Sequence, residues 1–160
     1  MSSPYIDALR MLARRELSEA QVRQRLVRKG HGADDIDAAI HRLREERAVD
    51  DTRVAEAIAR TATAIKRRGK LRVRREIEHA GIAPTVAREA LDAVFDGIDA
   101  DELLQAALGR RLRGDRTIDD DREFNRLYRY LAAQGFESDR IVAALKARRR
   151  RGSAGQNDAG

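Results

Sequence analysis

Reactive side chains are few in this 160-residue chain, and none of them converge by spacing. His31, His41 and His79 form no HxxxH, HxH or HExxH pattern, so no two imidazoles share a helix face in the way a metal site needs. Cysteine is absent, which removes thiolate nucleophiles, disulfides and thiolate metal ligands. Ser18 and Ser138 stand just before helical patterns and read as caps, while Ser2, Ser3 and Ser153 lie in terminal segments, leaving no serine beside a base. The acidic groups Asp34-Asp35, Asp50-Asp51 and Asp119 to Asp121 carry charge enough for magnesium. Each, however, precedes a helix start, where carboxylates complement the dipole. Gly69 follows Arg67 and Arg68 and precedes Lys70, but neither GxxxxGK[ST] nor GxGxxG surrounds it. The inventory points away from an enzyme and calls for no metal and no cofactor.

What the chain has in abundance is fixed positive charge. Lys66-Arg67-Arg68-Gly69-Lys70-Leu71-Arg72-Val73-Arg74-Arg75 holds seven bases in ten residues and no acid. Val73 and Ile77 mark the buried side of a helix here, so Arg72 and Arg75 point away from it and Arg74 lies at the boundary. Lys66 to Lys70 form the joint before that helix. An earlier segment at a corresponding place carries Arg23, Arg25, Arg28 and Lys29. These eleven side chains (Lys66, Arg67, Arg68, Lys70, Arg72, Arg74, Arg75, Arg23, Arg25, Arg28 and Lys29) are the candidate surface for an acidic partner or for nucleic acid. The opposing reading pairs them with Glu76, Glu78, Glu19 and neighbours as surface ion pairs of small energetic consequence.

Global charge does not decide between the two. There are 33 basic against 27 acidic residues, a formal charge of +6, and 29 of the bases are arginine. That excess is modest, and heavy Arg and Ala usage is also what a GC-rich genome would produce. A further run, Lys146-Ala147-Arg148-Arg149-Arg150-Arg151, ends a helical pattern where cations suit the dipole. Four of six aromatics, Phe124, Tyr128, Tyr130 and Phe136, cluster late in the chain. Phe124, Leu127, Tyr128 and Leu131 share one helical face and read as core. Tyr130 lies off that face and could stack on a base or on an arginine.

These groups must be carried by helices. Proline occurs only at 4 and 84, and the long stretches between glycines are rich in Ala, Arg, Leu and Glu. A hydrophobic share of 42% supports a core despite 38% charged residues. No apolar run approaches the roughly 18 residues of a membrane span, and the opening Met1-Ser2-Ser3-Pro4-Tyr5 does not look like a signal peptide. A soluble, cytoplasmic protein is expected.

Sliding the sequence on itself reveals an internal repeat anchored at Gly30, Gly81 and Gly135, spaced 51 and 54 residues apart. Eight and four residues before these glycines stand Val22 and Leu26, Val73 and Ile77, and Leu127 and Leu131. Each glycine reads as the left-handed stop between two helices. Further helices are expected over 5–14, 52–68 and 100–113, the second carrying Val54, Ile58, Ala62 and Ile65 as one stripe, and the third ending on Arg110, Arg111 and Arg113. Helices over 19–29 and 139–149 follow Ser18 and Ser138. The expected fold is all-α: three tandem three-helix repeats over 1–50, 51–97 and 98–151, forming an elongated, curved array, with 152–160 as a disordered tail.

The segments Ala8-Leu9-Arg10-Met11-Leu12-Ala13-Arg14-Arg15-Glu16, Ser18 and Val22 to Gly30 resemble the opening of the RecX family of recombination regulators. Asp50-Asp51-Thr52-Arg53-Val54-Ala55 resembles that family's Asp-Asp-x-Arg-Phe-Ala signature, with Val54 in place of Phe, and Arg74 to Ile82 resembles its Arg-x-Glu-Leu-x-x-Lys-Gly-Ile segment. Gly135-Phe136 and Ile141 fit its third repeat. Arg47-Ala48-Val49 departs from the Gly-aromatic-hydrophobic turn common there. The resemblance covers 5–146. It implies tandem three-helix repeats and a non-enzymatic protein, expected as a monomer, that binds the RecA recombinase and its DNA filament. By that resemblance it inhibits recombinase, ATPase and coprotease activity and so modulates DNA repair, homologous recombination and the SOS response. Two alternatives stay open on the residues themselves: a free-standing, non-specific DNA-binding helical module, and a helical adaptor for some other protein.

Overall fold

The structure is a computed structural model and describes residues 2–149. The expected tail over 152–160, with Arg150 and Arg151, lies outside the described residues. Among the described residues there are nine helices: α1 (Pro4–Arg14), α2 (Glu19–Arg28), α3 (Ala33–Glu45), α4 (Asp51–Ala64), α5 (Lys70–His79), α6 (Pro84–Phe95), α7 (Ala100–Gly109), α8 (Asp121–Ala133) and α9 (Ser138–Arg148). They form three successive three-helix units.

Local chemistry explains the boundaries. Ser18 caps α2 through a full capping box with Gln21, Asp50 caps α4, Asp99 caps α7 and Asp120 caps α8. Pro84 occupies the first turn of α6, where its missing N–H costs nothing. Gly30, Gly81 and Gly135 each follow the middle helix of a unit with φ of +90°, +79° and +96°. Each also donates its N–H to the carbonyl three residues back, Val27, Glu78 and Ala132 respectively. The repeat read from the glycines is thus a repeat of backbone geometry.

Three boundaries differ from the pattern expected. The helix over 52–68 stops at Ala64, because Arg67 takes a left-handed φ of +53° and turns the chain into the next helix. Ile65, expected on the buried stripe, is 66% exposed as a result. The helix over 100–113 ends at Gly109, although Leu112 remains buried beyond it. Ser138 is the first residue of α9 rather than its cap, and its hydroxyl meets the Tyr128 hydroxyl at 2.6 Å.

Each unit buries its own core: Val22, Leu26, Ile36, Ile40 and Leu43 in the first; Val54, Ala59, Val73, Ile77 and Leu91 in the second; Leu104, Leu108, Leu127, Leu131, Ile141 and Leu145 in the third. Helix packing is concentrated within units. Phe95, partly buried, packs against both the second and the third core.

Between units the same joint is used twice. The start of a middle helix docks on the glycine turn of the following unit. At the first joint the Ser18 hydroxyl donates to the Ala80 carbonyl at 2.5 Å, and Gly81 lies so close to Ala20 that an added Cβ would come within 2.5 Å of the Ala20 Cβ. At the second joint Gly69 N–H donates to the Gln134 carbonyl at 2.8 Å and Leu71 N–H to the Gly135 carbonyl at 3.1 Å. A Cβ on Gly69 would fall 2.6 Å from the Gly135 carbonyl. Ser18 is fully buried, so its hydroxyl serves both the cap and the joint. Ser18→Ala removes the cap and leaves the Ala80 carbonyl without its partner. It is expected to cost about 1–2 kcal/mol in equilibrium denaturation; a change within a few tenths would show that the joint does not depend on this hydroxyl.

Candidate functional site

The second joint gathers positive charge. Lys66, in the link after α4, is exposed, and Arg68 and Arg72 both turn toward Glu76 on α5. Arg72 Nε lies 3.4 Å from the carboxylate and its Nη1 donates to the Ala133 carbonyl at 3.3 Å, so this side chain also ties the second unit to the third. Two arginines from the end of α7 complete the cluster. Arg110 donates from Nη2 to the Ile65 carbonyl and from Nη1 to the Lys66 carbonyl at 3.4 Å, filling acceptors left open where α4 stops. Arg111 sits over the Tyr130 ring with its Cζ 4.5 Å from the centroid. Lys66, Arg68, Arg72, Arg110, Arg111 and Tyr130 line one cleft between the units.

This differs in detail from the single strip expected. Lys66, Arg68 and Arg72 come together, whereas Arg67 lines another hollow beside Asp99 and Glu102. Lys70 reaches Asp92 at 3.0 Å and stands 6.0 Å over the Phe95 ring. Arg74 pairs with Glu78 at 3.8 Å, and Arg75 Nε donates to the Leu71 carbonyl at 3.4 Å. In the first unit Arg23 pairs with Asp37 at 2.5 Å and Lys29 with Asp7 at 3.5 Å, while Arg25 and Arg28 meet no carboxylate among the described residues. Arg72, expected to point outward, is more covered than Arg74 because the third unit closes over it. Arg148 and Arg149, read as dipole partners, hold the loop before α8 and the first residue of α8 instead: Arg148 Nη1 donates to the Gly114 carbonyl at 2.5 Å and Arg149 pairs with Asp121.

Arg110 and Arg111 lie outside the surface predicted from the sequence, where the dipole of α7 already accounts for them. Tyr130 off the core face was the one available signal, and the arginine it stacks on is Arg111.

Two carboxylates outside the cleft serve structure, Asp7 buried and Asp51 half-buried. Asp7 is held below the ordinary aspartate range chiefly by its hydrogen bond with His31, at 2.8 Å, with Lys29 and Ser2 adding to it. Asp51 is pushed up by burial, against the Glu19 N–H that it accepts at 2.9 Å. Arg53 Nε meets Glu16 at 2.8 Å beside it. No group of three or more His, Asp or Glu side chains suited to a metal occurs among the described residues. No described helix is long and apolar enough to cross a membrane.

Comparison with known proteins fits these features. A model of RecX, first three-helix domain, matches residues 5–43, and one of RecX, second three-helix domain, matches residues 50–91. The chain is 33% identical over 144 residues to the regulatory protein RecX of Chromohalobacter salexigens, covering 90% of this chain and 91% of that one. The chain belongs to the RecX family. The RecX regulatory protein of Syntrophotalea carbinolica is 36% identical over 135 residues, covering 84% of this chain and 88% of its own. A crystal structure of RecX from Lactobacillus salivarius superposes with a TM-score of 0.74 at 21% identity, over 90% of this chain and 95% of that one. That likeness carries the fold through the third unit, beyond the two matched domains. Within this structure the RecX-like Asp50-Asp51-Thr52-Arg53 segment has a physical role: Asp50 caps α4, while Asp51 and Arg53 fasten the first unit to the second.

Proposed function

We propose that this RecX-family chain regulates the RecA recombinase by lying along its DNA filament, inhibiting strand exchange, ATPase and coprotease activity by occupancy rather than by chemistry. The observation that carries the reading is a serial array of small helical units with many arginines and lysines exposed on its surface, in a family of regulatory proteins. Such an array offers a long, rigid face to a polymeric partner, and its guanidinium groups match carboxylates and phosphates alike. The bases that meet the filament are drawn from Lys66, Arg67, Arg68, Lys70, Arg72, Arg74, Arg75, Arg23, Arg25, Arg28 and Lys29. The chain acts in the cytoplasm, as a monomer and without a cofactor.

The test is RecA-catalysed ATP turnover on single-stranded DNA. Substoichiometric amounts of the protein are expected to slow it, and unchanged turnover at several-fold molar excess would refute the proposal. Changing Lys70, Arg74 and Arg75 together to alanine is expected to keep the helical content and weaken filament binding. Arg72 is left in place because its guanidinium holds the second joint. Strong, salt-steep binding to DNA combined with indifference to RecA would instead favour the free-standing DNA module.

A further inference from the structure

The cleft at the second joint is charged beyond what the joint requires. Its lining brings five cations together, Lys66, Arg68 and Arg72 from the second unit and Arg110 and Arg111 from the third, and the carboxylate that answers them is Glu76. Five positive against one negative leaves about four charges unanswered locally. Arg110 spends its donors on two main-chain carbonyls, which fix its place without cancelling its charge. Arg111 is held by Tyr130 and has no acidic partner among the described residues. Arg68 and Arg72 share one carboxylate, and each guanidinium has five donors.

We infer that this cleft seats the phosphodiester backbone of a single nucleic-acid strand, and that Glu76 is a resident competitor that holds the affinity down. Guanidinium forks already immobilised by stacking and main-chain bonds meet phosphate oxygens with little further ordering. The cluster is also part of something longer than one anion needs. Lys66 and Glu76 line the neighbouring hollow between the first and second units as well, together with Arg15 and with Glu16, whose carboxylate is answered by Arg53. A strand with a phosphate at every residue can follow such a track; an isolated anion cannot use it. Main-chain hydrogen bonds between Gly69 and Gln134 and between Leu71 and Gly135 lock the two halves of the cleft together, so the site exists before the strand arrives. The inference deepens the reading of the chain as a filament regulator. Its test contains no recombinase, so either can fail without the other.

The experiment is fluorescence anisotropy of a labelled oligothymidylate with the full chain over a range of salt, helicity being checked for every variant. At about 0.7 of logarithmic salt slope for each phosphate neutralised on a single strand, Lys66→Ala with Arg111→Ala is expected to flatten the slope by about 1.4 and weaken binding about tenfold or more near 0.1 M salt. Glu76→Gln is expected to tighten binding and steepen the slope. Arg88→Ala with Arg126→Ala, which removes the same charge from exposed positions outside the cleft, is expected to change affinity less than twofold. Equal losses from the two double variants would overturn the inference, as would wild-type binding by the Lys66/Arg111 variant. Weaker binding by Glu76→Gln with helicity retained would remove the competitor role. Displacement of the oligonucleotide by polyglutamate as readily as by unlabelled oligothymidylate would mean that the cleft takes acidic peptide, and would overturn the assignment to nucleic acid.

Discussion

Gly135→Ala is expected to destabilise the protein by about 3–5 kcal/mol, against about 1–2 kcal/mol for Gly30→Ala. Both glycines adopt the left-handed conformation, with φ of +96° and +90°, so both substitutions carry the same conformational cost. Their surroundings differ. A Cβ at Gly30 meets nothing within 4 Å, whereas one at Gly135 would overlap the backbone nitrogen and Cβ of Arg72. The second joint then has to open, and the bonds from Gly69 N–H to Gln134 and from Leu71 N–H to Gly135 are lost at about 1 kcal/mol each. Denaturant unfolding measures the difference, and amide exchange at Gly69 and Leu71 locates it. Equal costs for the two variants would mean that the joint contributes nothing to stability. Because the joint also sets the distance between Arg68 and Arg72 on one side and Arg110 and Arg111 on the other, Gly135→Ala should weaken oligonucleotide binding without touching a charged side chain.

The second large effect lies in the third core. Leu108 is fully buried against Leu104, Leu127, Leu131 and Leu145, so Leu108→Ala is expected to cost about 2–5 kcal/mol, the spread depending on how far the site collapses. Since the three cores are separate clusters, the loss should be local. Native-state hydrogen exchange is expected to speed up at the amides of α7, α8 and α9 while α2 and α3 keep their protection. A uniform rise across all nine helices would show instead that the chain unfolds as one cooperative block, with Phe95 and the two joints transmitting the damage.

Much of the fold was legible because its signals are local. A left-handed stop needs glycine, a helix start needs an acceptor side chain, and both repeat at a spacing visible by self-comparison. Gly30, Gly81, Gly135, Ser18, Asp120 and Pro84 all fall where that logic puts them. The failures are tertiary. Nothing within α4 says that it must end before Ile65; the left-handed Arg67 and the approach of Gly69 to Gln134 decide it. Arg47 holds a φ of +54°, which explains why a glycine is expected at that place and what this chain tolerates without one. The site was half legible. Lys66, Arg68 and Arg72 stood out as a charge run, but Arg110 lies 44 residues from the Lys66 carbonyl that it contacts, and no periodicity reports such a pairing. Likewise the neighbours that draw Lys70 to Asp92 and Arg23 to Asp37 come from other helices, so a strip that is continuous on a helical wheel divides among several partners in space.

At the second joint the pairing is between peptide groups, Gly69 to Gln134 and Leu71 to Gly135, and the first joint likewise ends on a main-chain oxygen, that of Ala80. Peptide groups are common to every residue type, so the pitch from one module to the next survives substitution so long as the small residues at the seam are kept. A ruler built this way keeps its graduations while its markings are rewritten, which fits a backbone shared at a TM-score of 0.74 by chains only 21% identical.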